Sequence, residues 1–322
     1  MKIAIGKKTD IGRVREANED SLYVELPPEG ADSPGRYALL LVADGMGGQV
    51  AGKEASETAV DIIKALFSEQ SKAGTPPLKD MREFILAAFR EANKAVFEKG
   101  KQKAVEMGTT LTAAFIDNRN AYIGHVGDSR AHLLRGREIR QVTEDHTLAE
   151  DMVKKGKATR EEVKASPMRS MLTRSIGTKE KAAIDEPVGI ELEEGDCLVL
   201  CTDGLTNLVD EQEILSVIHN TPDAQKACNK LVDLARKRGG HDNITVIAAE
   251  FGELKRIKGL GIRTKTIVVK PATGGVAKRR RILIAALGLL VAVFMFLAYL
   301  FVSHYVGRDR FYKGPTAEEK TE

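Results

Sequence analysis

Cysteine is scarce in this chain: Cys197, Cys201 and Cys228 are the three among 322 residues. So small and odd a set excludes a disulfide framework. Cys197 and Cys201 fall in an apolar stretch that reads as a buried strand in a reducing compartment. The opening residues, MKIAIGKKTD, lack the apolar run of a secretory signal. A basic face is missing as well. The net charge is +3, but residues 253–281 carry ten Lys/Arg against one Glu and 303–322 carry four of each sign. Residues 1–252 are left with 35 basic and 41 acidic side chains. A mildly acidic domain excludes nucleic acid as its main partner, because a phosphate backbone needs a basic surface.

Charge is absent altogether from Ile282 to Val302, 21 residues rich in Leu, Ala, Val, Ile and Phe. At 1.5 Å rise per residue, a helix of this length spans the roughly 30 Å hydrocarbon core of a bilayer. A buried helix of a globular core would carry polar residues at helical spacing, and none occurs before Tyr299 and Ser303. Lys278, Arg279, Arg280 and Arg281 abut its N-terminal end, so the positive-inside tendency puts the N-terminal domain in the cytoplasm and the last 20 residues outside. The expected organisation is a domain over 1–252, a basic juxtamembrane linker over 253–281, a transmembrane helix over 282–302 and a short extracytoplasmic tail over 303–322.

Within 1–252 the pattern alternates between periods. Tyr37–Ala43 is continuously apolar and predicts a buried strand. Gly52–Phe67 and Asp80–Lys99 repeat apolar residues every three or four positions and predict amphipathic helices. Thr110–Ile116 and Ala121–Val126, joined by Asp-Asn-Arg-Asn, predict a hairpin. Arg130–Leu134, Asp196–Cys201 and Asn243–Phe251 predict further strands, with helices over Glu211–Asn220 and Asp223–Arg238. Hairpin-linked strands with helices inserted in blocks predict an α/β layered sandwich of two mainly antiparallel sheets flanked by helices.

Four aspartates share one local context. Asp44 follows the strand YALLLVA and precedes Gly45, while Asp203 follows CLVLCT and precedes Gly204. Asp128 follows AYIGHVG, and Asp242 precedes NITVIAAEF. Glu19 and Asp20 form a fifth acidic group in VREANED. Carboxylates at strand ends can converge at one rim of a sheet, and adjacent glycines let the backbone approach a ligand. An oxygen-only set suits hard cations such as Mg²⁺ or Mn²⁺, and no His/Cys cluster offers a zinc site.

In order along the chain stand VREANED (14–20), VADGMGGQVAGKEAS (42–56), MGTTLTAAF (107–115), GHVGDSRAHLL (124–134), LCTDGLTNLV (200–209) and GGHDNITVIAAE (239–250). This succession resembles the motifs of the metal-dependent, type 2C (PPM) protein phosphatases. The resemblance implies hydrolysis of phosphoserine and phosphothreonine in proteins by a metal-activated water at a binuclear Mn²⁺/Mg²⁺ centre. Asp44 would bridge both ions and the Gly45 carbonyl would reach one. Asp203 and Asp242 would hold one ion, and Glu19 or Asp20 the other. Asp128 matches a third, weaker metal position, Arg15 the phosphate-clamping arginine, and Asn243 a polar neighbour of the metal-binding aspartate. Residues 147–175 resemble the flap of the bacterial branch. Met46 stands where some eukaryotic relatives have the histidine assigned as general acid, so the proton donor is left open. His146 and His241 lie near motifs and are read first as structural. Phosphorylated proteins are the expected partners, with a membrane Ser/Thr kinase as the opposing enzyme.

Other chemistries fit less well. Gly47–Lys53 matches a P-loop up to its last position, where Glu54 replaces the Ser or Thr that would hold Mg²⁺. No cysteine has Arg six residues later, and Asp44 has no Asp two residues on, which excludes cysteine-dependent and aspartyl-phosphate mechanisms. A catalytically inactive, phosphoprotein-binding scaffold of the same fold is the remaining alternative.

Overall fold

Runs such as Tyr37–Ala43 and Cys197–Cys201 are apolar at every position, so both faces of each strand need cover. The computed structural model, which describes residues 1–27, 37–72, 81–117, 119–164 and 166–257, supplies that cover with four layers. In chain order the strands are β1 (Ile3–Asp10), β2 (Ser21–Glu25), β3 (Tyr37–Ala43), β4 (Gly45–Met46), β5 (Gly108–Thr109), β6 (Leu111–Asp117), β7 (Asn120–Val126), β8 (Arg130–Arg135), β9 (Glu138–Gln141), β10 (Val188–Glu191), β11 (Cys197–Cys201) and β12 (Ile244–Phe251). The helices are α1 (Gln49–Lys72), α2 (Met81–Lys103), α3 (Leu148–Lys154), α4 (Arg160–Lys164), α5 (Asp203–Thr206), α6 (Glu211–His219) and α7 (Ala224–Lys237).

Two five-stranded antiparallel sheets, in the orders β1-β12-β11-β8-β9 and β10-β7-β6-β3-β2, pack face to face. The two-residue side-chain period sorts each strand between layers. Ala38, Leu40 and Val42 of β3 meet Leu198 and Leu200 of β11 and Ile247 of β12 between the sheets. Leu39, Leu41 and Ala43 point the other way, onto Ile63, Phe89 and other residues of α1 and α2. On the outer face of the first sheet Cys197, Val199 and Cys201 pack with Ile214, Leu231 and Val232 of α6 and α7. The three thiols are free and buried, as their apolar setting predicts, and burial pushes Cys201 and Cys228 up to about 12.

Most expected elements form within a few residues of their predicted bounds. The hairpin closes Asp117 against Asn120. The helix expected from Gly52 begins at Gln49, and Thr110 falls just outside β6 because Gly108–Thr109 pairs with Gly45–Met46 instead. Strands β1, β2, β9 and β10 were not anticipated: each is short, or is an edge strand interrupted by Gly and Lys. β1 can lie against α7 only because residue 6 is glycine; a Cβ there would stand 2.1 Å from the Ala224 carbonyl oxygen. α6 opens with a capping box between Asp210 and Glu213, which satisfies two otherwise orphaned amides.

Residues 147–172 leave the body and return to the point of departure. Thr147 bridges Leu172, and the Leu148 amide donates to the Met171 carbonyl (2.9 Å). α3 and α4 lie in this excursion, which coincides with the segment expected to form a flap. Packing continues past residue 252: Leu254 lies against the α6–α7 layer, and Arg256 donates to the Ile218 carbonyl and to Glu250. One compact unit, Met1–Thr264, contains every described element. The proposed transmembrane helix, most of the basic linker and the tail lie outside the described residues. Among the described residues no helix is long and apolar enough to cross a membrane.

Candidate metal and phosphate site

The ends of β3, β7 and β11 and the start of β12 deliver Asp44, Asp128, Asp203 and Asp242 to one rim of the sandwich. β3 and β7 come from one sheet, β11 and β12 from the other, so the acids stand at the seam between the sheets. Asp44 feels the negative charge of Asp20, Asp203, Asp128 and Asp242 together. Burial first, and then those four charges, hold its carboxyl well above the ordinary range. Burial and the charges of Asp203 and Asp145 do the same for Asp128 against the pull of Arg130. Asp203 is raised by burial and by Asp242, offset by hydrogen bonds with Asn207 and Asp44. Burial takes Asp20 up to about 7 despite hydroxyl donors from Thr245 and Thr202. Glu19 is also raised by burial, with Arg15 opposing.

The backbone around these acids is tightly determined. The Asp44 amide donates to Thr110 Oγ1 (2.9 Å), and its carbonyl accepts from the Thr110 amide and from Thr109 Oγ1 (both 2.9 Å). Thr110 in turn shares a proton with Ser129, next to Asp128 (2.8 Å). Gly45 has no room for a side chain: a Cβ would lie 2.0 Å from the Gly52 carbonyl oxygen and 2.7 Å from that of Glu19. Gly204 is equally obligatory, with the Asn243 carbonyl oxygen 1.9 Å from any Cβ.

Asn243, expected beside the metal-binding aspartate, works as a clasp. Its Oδ1 accepts from the Glu19 amide (2.8 Å), and its Nδ2 donates to the carbonyls of Ile11 and Ala17 (both 3.0 Å). One buried amide thus fastens the 11–19 loop, which carries Arg15 and Glu19, to the head of β12. Arg15 itself donates from Nη2 to Asp242 Oδ2 (2.8 Å), a bond that holds the guanidinium above its ordinary pKa. The expected phosphate clamp therefore rests on an expected metal ligand, where the pair satisfies both charges.

Lys53, the lysine of the P-loop-like stretch, donates to the Asp20 carbonyl (2.9 Å) and pairs with Glu57, so it braces the acidic loop instead of facing a phosphate nest. Several contributors were overlooked from sequence. Asp20 Oδ2 accepts from Thr245 Oγ1 (2.6 Å), one residue into β12, and from Thr202 Oγ1 (3.0 Å), one residue beyond β11. Asn207 donates to Asp203 Oδ2 (2.9 Å) and accepts from Arg169 of the excursion. The four-residue spacing of Asp203 and Asn207 across a helical turn was the available signal.

Whether these residues suit a divalent cation is a matter of donor chemistry. Every side chain of the expected set is an oxygen donor, and the buried Asp20 Oδ1 and Asp203 Oδ1 have no hydrogen-bond partner. Orphaned, mutually repelling buried carboxylate oxygens are what a hard cation satisfies. Among the described residues no three His, Cys, Asp or Glu side chains stand grouped tightly enough to hold an ion as they are: Asp242 turns to Arg15 and Asp20 to its threonines. The donor set fits, and ligation requires side-chain rotation within a fixed backbone frame.

The chain matches the Protein phosphatase 2C family model over residues 16–236. It is 33% identical over 245 residues to a serine/threonine phosphatase, stp, of Listeria monocytogenes, a match covering 76% of this chain and 94% of that protein. Protein phosphatase PhpP of Streptococcus pneumoniae is 36% identical over 247 residues, or 76% of this chain and 96% of its own. The crystal structure of the catalytic domain of the serine/threonine protein phosphatase PstP in complex with two manganese ions superposes with a TM-score of 0.65 at 31% identity, covering 78% of this chain and 99% of that one.

The raised carboxyls make stability depend on pH and metal in a defined direction. Asp20 titrates near 7 folded and near 3.8 unfolded, so its contribution is complete at low pH and lost as pH rises through about 7. Buried His125, lowered to about 3 by desolvation, acts oppositely but only below its unfolded value of 6.5. Between about pH 6.5 and 8 the carboxyls therefore dominate, at up to about 1.4 kcal/mol per pH unit for each group. Differential scanning fluorimetry in EDTA should show Tm falling across this window, and Mn²⁺ should raise Tm more at pH 8 than at pH 6.5. A Tm in EDTA that is flat or rising, with no response to Mn²⁺, would exclude the ionised cluster as the source.

The match over most of the chain and the acids gathered at one rim lead to a single conclusion: this protein belongs to the protein phosphatase 2C family.

Proposed function

We propose that the rim carrying Asp44, Asp128, Asp203 and Asp242 is a Mn²⁺/Mg²⁺ centre at which phosphoserine and phosphothreonine residues of proteins are hydrolysed. The observation that carries this reading is the charge on Asp44: four other carboxylates act on one buried carboxyl, an arrangement with no structural benefit of its own. The activity, protein-serine/threonine phosphatase, agrees with the named relatives, and the two manganese ions in the PstP structure supply the precedent for the cations. The inactive-scaffold alternative is disfavoured because every expected carboxylate is present at the rim.

Asp44, Asp203 and Asp242 would hold the cations, with Glu19 and the Gly45 carbonyl beside them and Asp128 at a weaker third position. When bound, such ions lower the pKa of water and neutralise phosphoryl charge. The protein residues supply the rest. Asp20 accepts from Thr245 and Thr202 through Oδ2, and its buried Oδ1 has no hydrogen-bond partner. Arg15, about half exposed and held at the rim by Asp242, would be free to turn to a phosphoryl oxygen once Asp242 rotates toward a cation. Water activated by such cations would need no protein nucleophile, so no covalent phosphoenzyme is expected. The proton donor to the leaving alkoxide is not a residue at position 46, which is Met46.

Localisation is part of the same proposal. The uncharged run 282–302 anchors the chain in the cell membrane, residues 1–252 face the cytoplasm, 253–281 act as a basic linker, and 303–322 lie outside. A catalytic domain held at the membrane would oppose a membrane Ser/Thr kinase.

Two experiments test these readings. With a phosphothreonine peptide and Mn²⁺, Asp44→Asn and Asp203→Asn should each lower kcat by roughly 10²–10³-fold or more, and EDTA should abolish turnover. A wild-type rate in either variant rejects the centre. For topology, a periplasmic-type alkaline phosphatase reporter fused after Glu322 should be active, whereas activity of a cytoplasmic reporter at the same position overturns the orientation.

A further inference from the structure

Residues 147–172 leave and rejoin the body at one place, and a buried imidazole sits there. His146 is 3% exposed. Its carbonyl accepts from the Thr173 amide (2.8 Å), so its backbone closes the base of the excursion together with the Thr147–Leu172 bridge.

The same residue grips the turn ahead of Asp128 from both sides. The His146 amide donates to the Gly127 carbonyl (2.8 Å), and the Gly127 amide donates back to His146 Nδ1 (3.1 Å). Gly127 has φ +116°, and a Cβ there would stand 2.6 Å from Thr110, so this turn has no slack. Because Nδ1 accepts, the ring hydrogen is on Nε2, which lies 2.9 Å from Asp185 Oδ2. Asp185 Oδ1 accepts from Arg174 (2.6 Å), just beyond the excursion's return. The neighbouring ring of His125, 4.9 Å away, has Nε2 shared between the carbonyls of Gly127 and Glu144 (both 3.0 Å) and Nδ1 on Thr112. Two carbonyl acceptors fix that hydrogen on Nε2 as well, so both rings are held in single tautomers.

We propose that His146 is a positioning residue that couples the base of the 147–172 excursion to the Gly127–Asp128 turn, so that the excursion and the Asp128 carboxylate shift together. Asp128 acts on Asp44 and Asp203 through its charge. A phosphoprotein that engages the excursion therefore alters the cation centre through one imidazole. The excursion has a second link, Arg169 to Asn207 to Asp203, which reaches the same cluster. The effect on cations rests on the assignment of Asp128 to the metal set above; the anchoring of the excursion does not.

The test uses the full chain carrying His146→Ala, His146→Asn or Asp185→Ala, with Asp128→Asn as reference. Two readouts are needed: the rate of tryptic cleavage within 154–169, and Mn²⁺ binding by calorimetry. For His146→Ala, cleavage should rise roughly 5- to 10-fold and the weakest Mn²⁺ site should weaken roughly 10-fold. His146→Asn retains an acceptor for the Gly127 amide and should recover most of the Mn²⁺ binding but little protection from trypsin. Asp185, about half exposed, tolerates truncation, and Asp185→Ala should move both readouts in the same directions by roughly 3-fold. If His146→Ala does not fold, Asp185→Ala decides alone. Faster cleavage with unchanged Mn²⁺ binding, or wild-type values of both, overturns the coupling. Unchanged Mn²⁺ binding in Asp128→Asn instead refutes the third metal position, and the cleavage data then still report whether His146 anchors the excursion.

Discussion

Like charges forced together in a buried rim are the constraint on which the structure turns. Asp44, Asp128 and Asp203 are all held above the ordinary carboxyl range, chiefly by burial and then by neighbouring carboxylates, Asp242 in the case of Asp203. A fold assembled only for stability would not gather these groups, because each one ionised at neutral pH destabilises the native state. The cost is tolerable if a divalent cation binds there, and the orphaned oxygens of Asp20 and Asp203 are buried atoms that such an ion would satisfy. The site thus stores its function as electrostatic tension, released by the ions that the chemistry requires.

Such tension needs a rigid frame, and the sandwich provides one from its interior outward. Strands apolar on both faces lock the two sheets together and cover them with α1–α2 and α6–α7. At the rim, short polar side chains take over from packing. Asn243 fastens the 11–19 loop, Thr110 and Ser129 link the Asp44 and Asp128 turns, and Gly45 and Gly204 let neighbouring backbones touch. Carboxylates can then rotate toward a ligand while their Cα positions stay fixed. The 147–172 excursion is joined to this frame at His146 and Arg169, so that segment is continuous with the rim through hydrogen bonds.

Strands β3 and β11 were readable because they carry uninterrupted apolar runs, β6, β7 and β12 because they are rich in apolar and β-branched residues between turn signals, and α2 and α7 because their apolar spacing is helical. β1 was hidden: IAIGKKTD loses its alternation at Gly6, and only docking against α7 makes it a strand. At the site, the aspartates were recognisable from their positions at strand ends, but their side-chain partners were not. Nothing local says that Thr202 and Thr245 meet Asp20, more than 180 residues away in sequence, or that Arg15 lies on Asp242. Those contacts depend on which strands neighbour one another, a property of the whole fold. His146 was legible only as a histidine near a motif; its meaning came from Gly127 and Asp185, which topology brings to it.

The central claim is that the clustered carboxylates exist to share cations. Anomalous diffraction at the manganese edge from crystals grown in Mn²⁺ measures this directly. The account predicts two strong peaks flanking Asp44, one of them shared with Asp203 and Asp242, with Asp242 withdrawn from Arg15. Crystals without anomalous density at this rim, with Asp242 still bonded to Arg15 in saturating Mn²⁺, would contradict it.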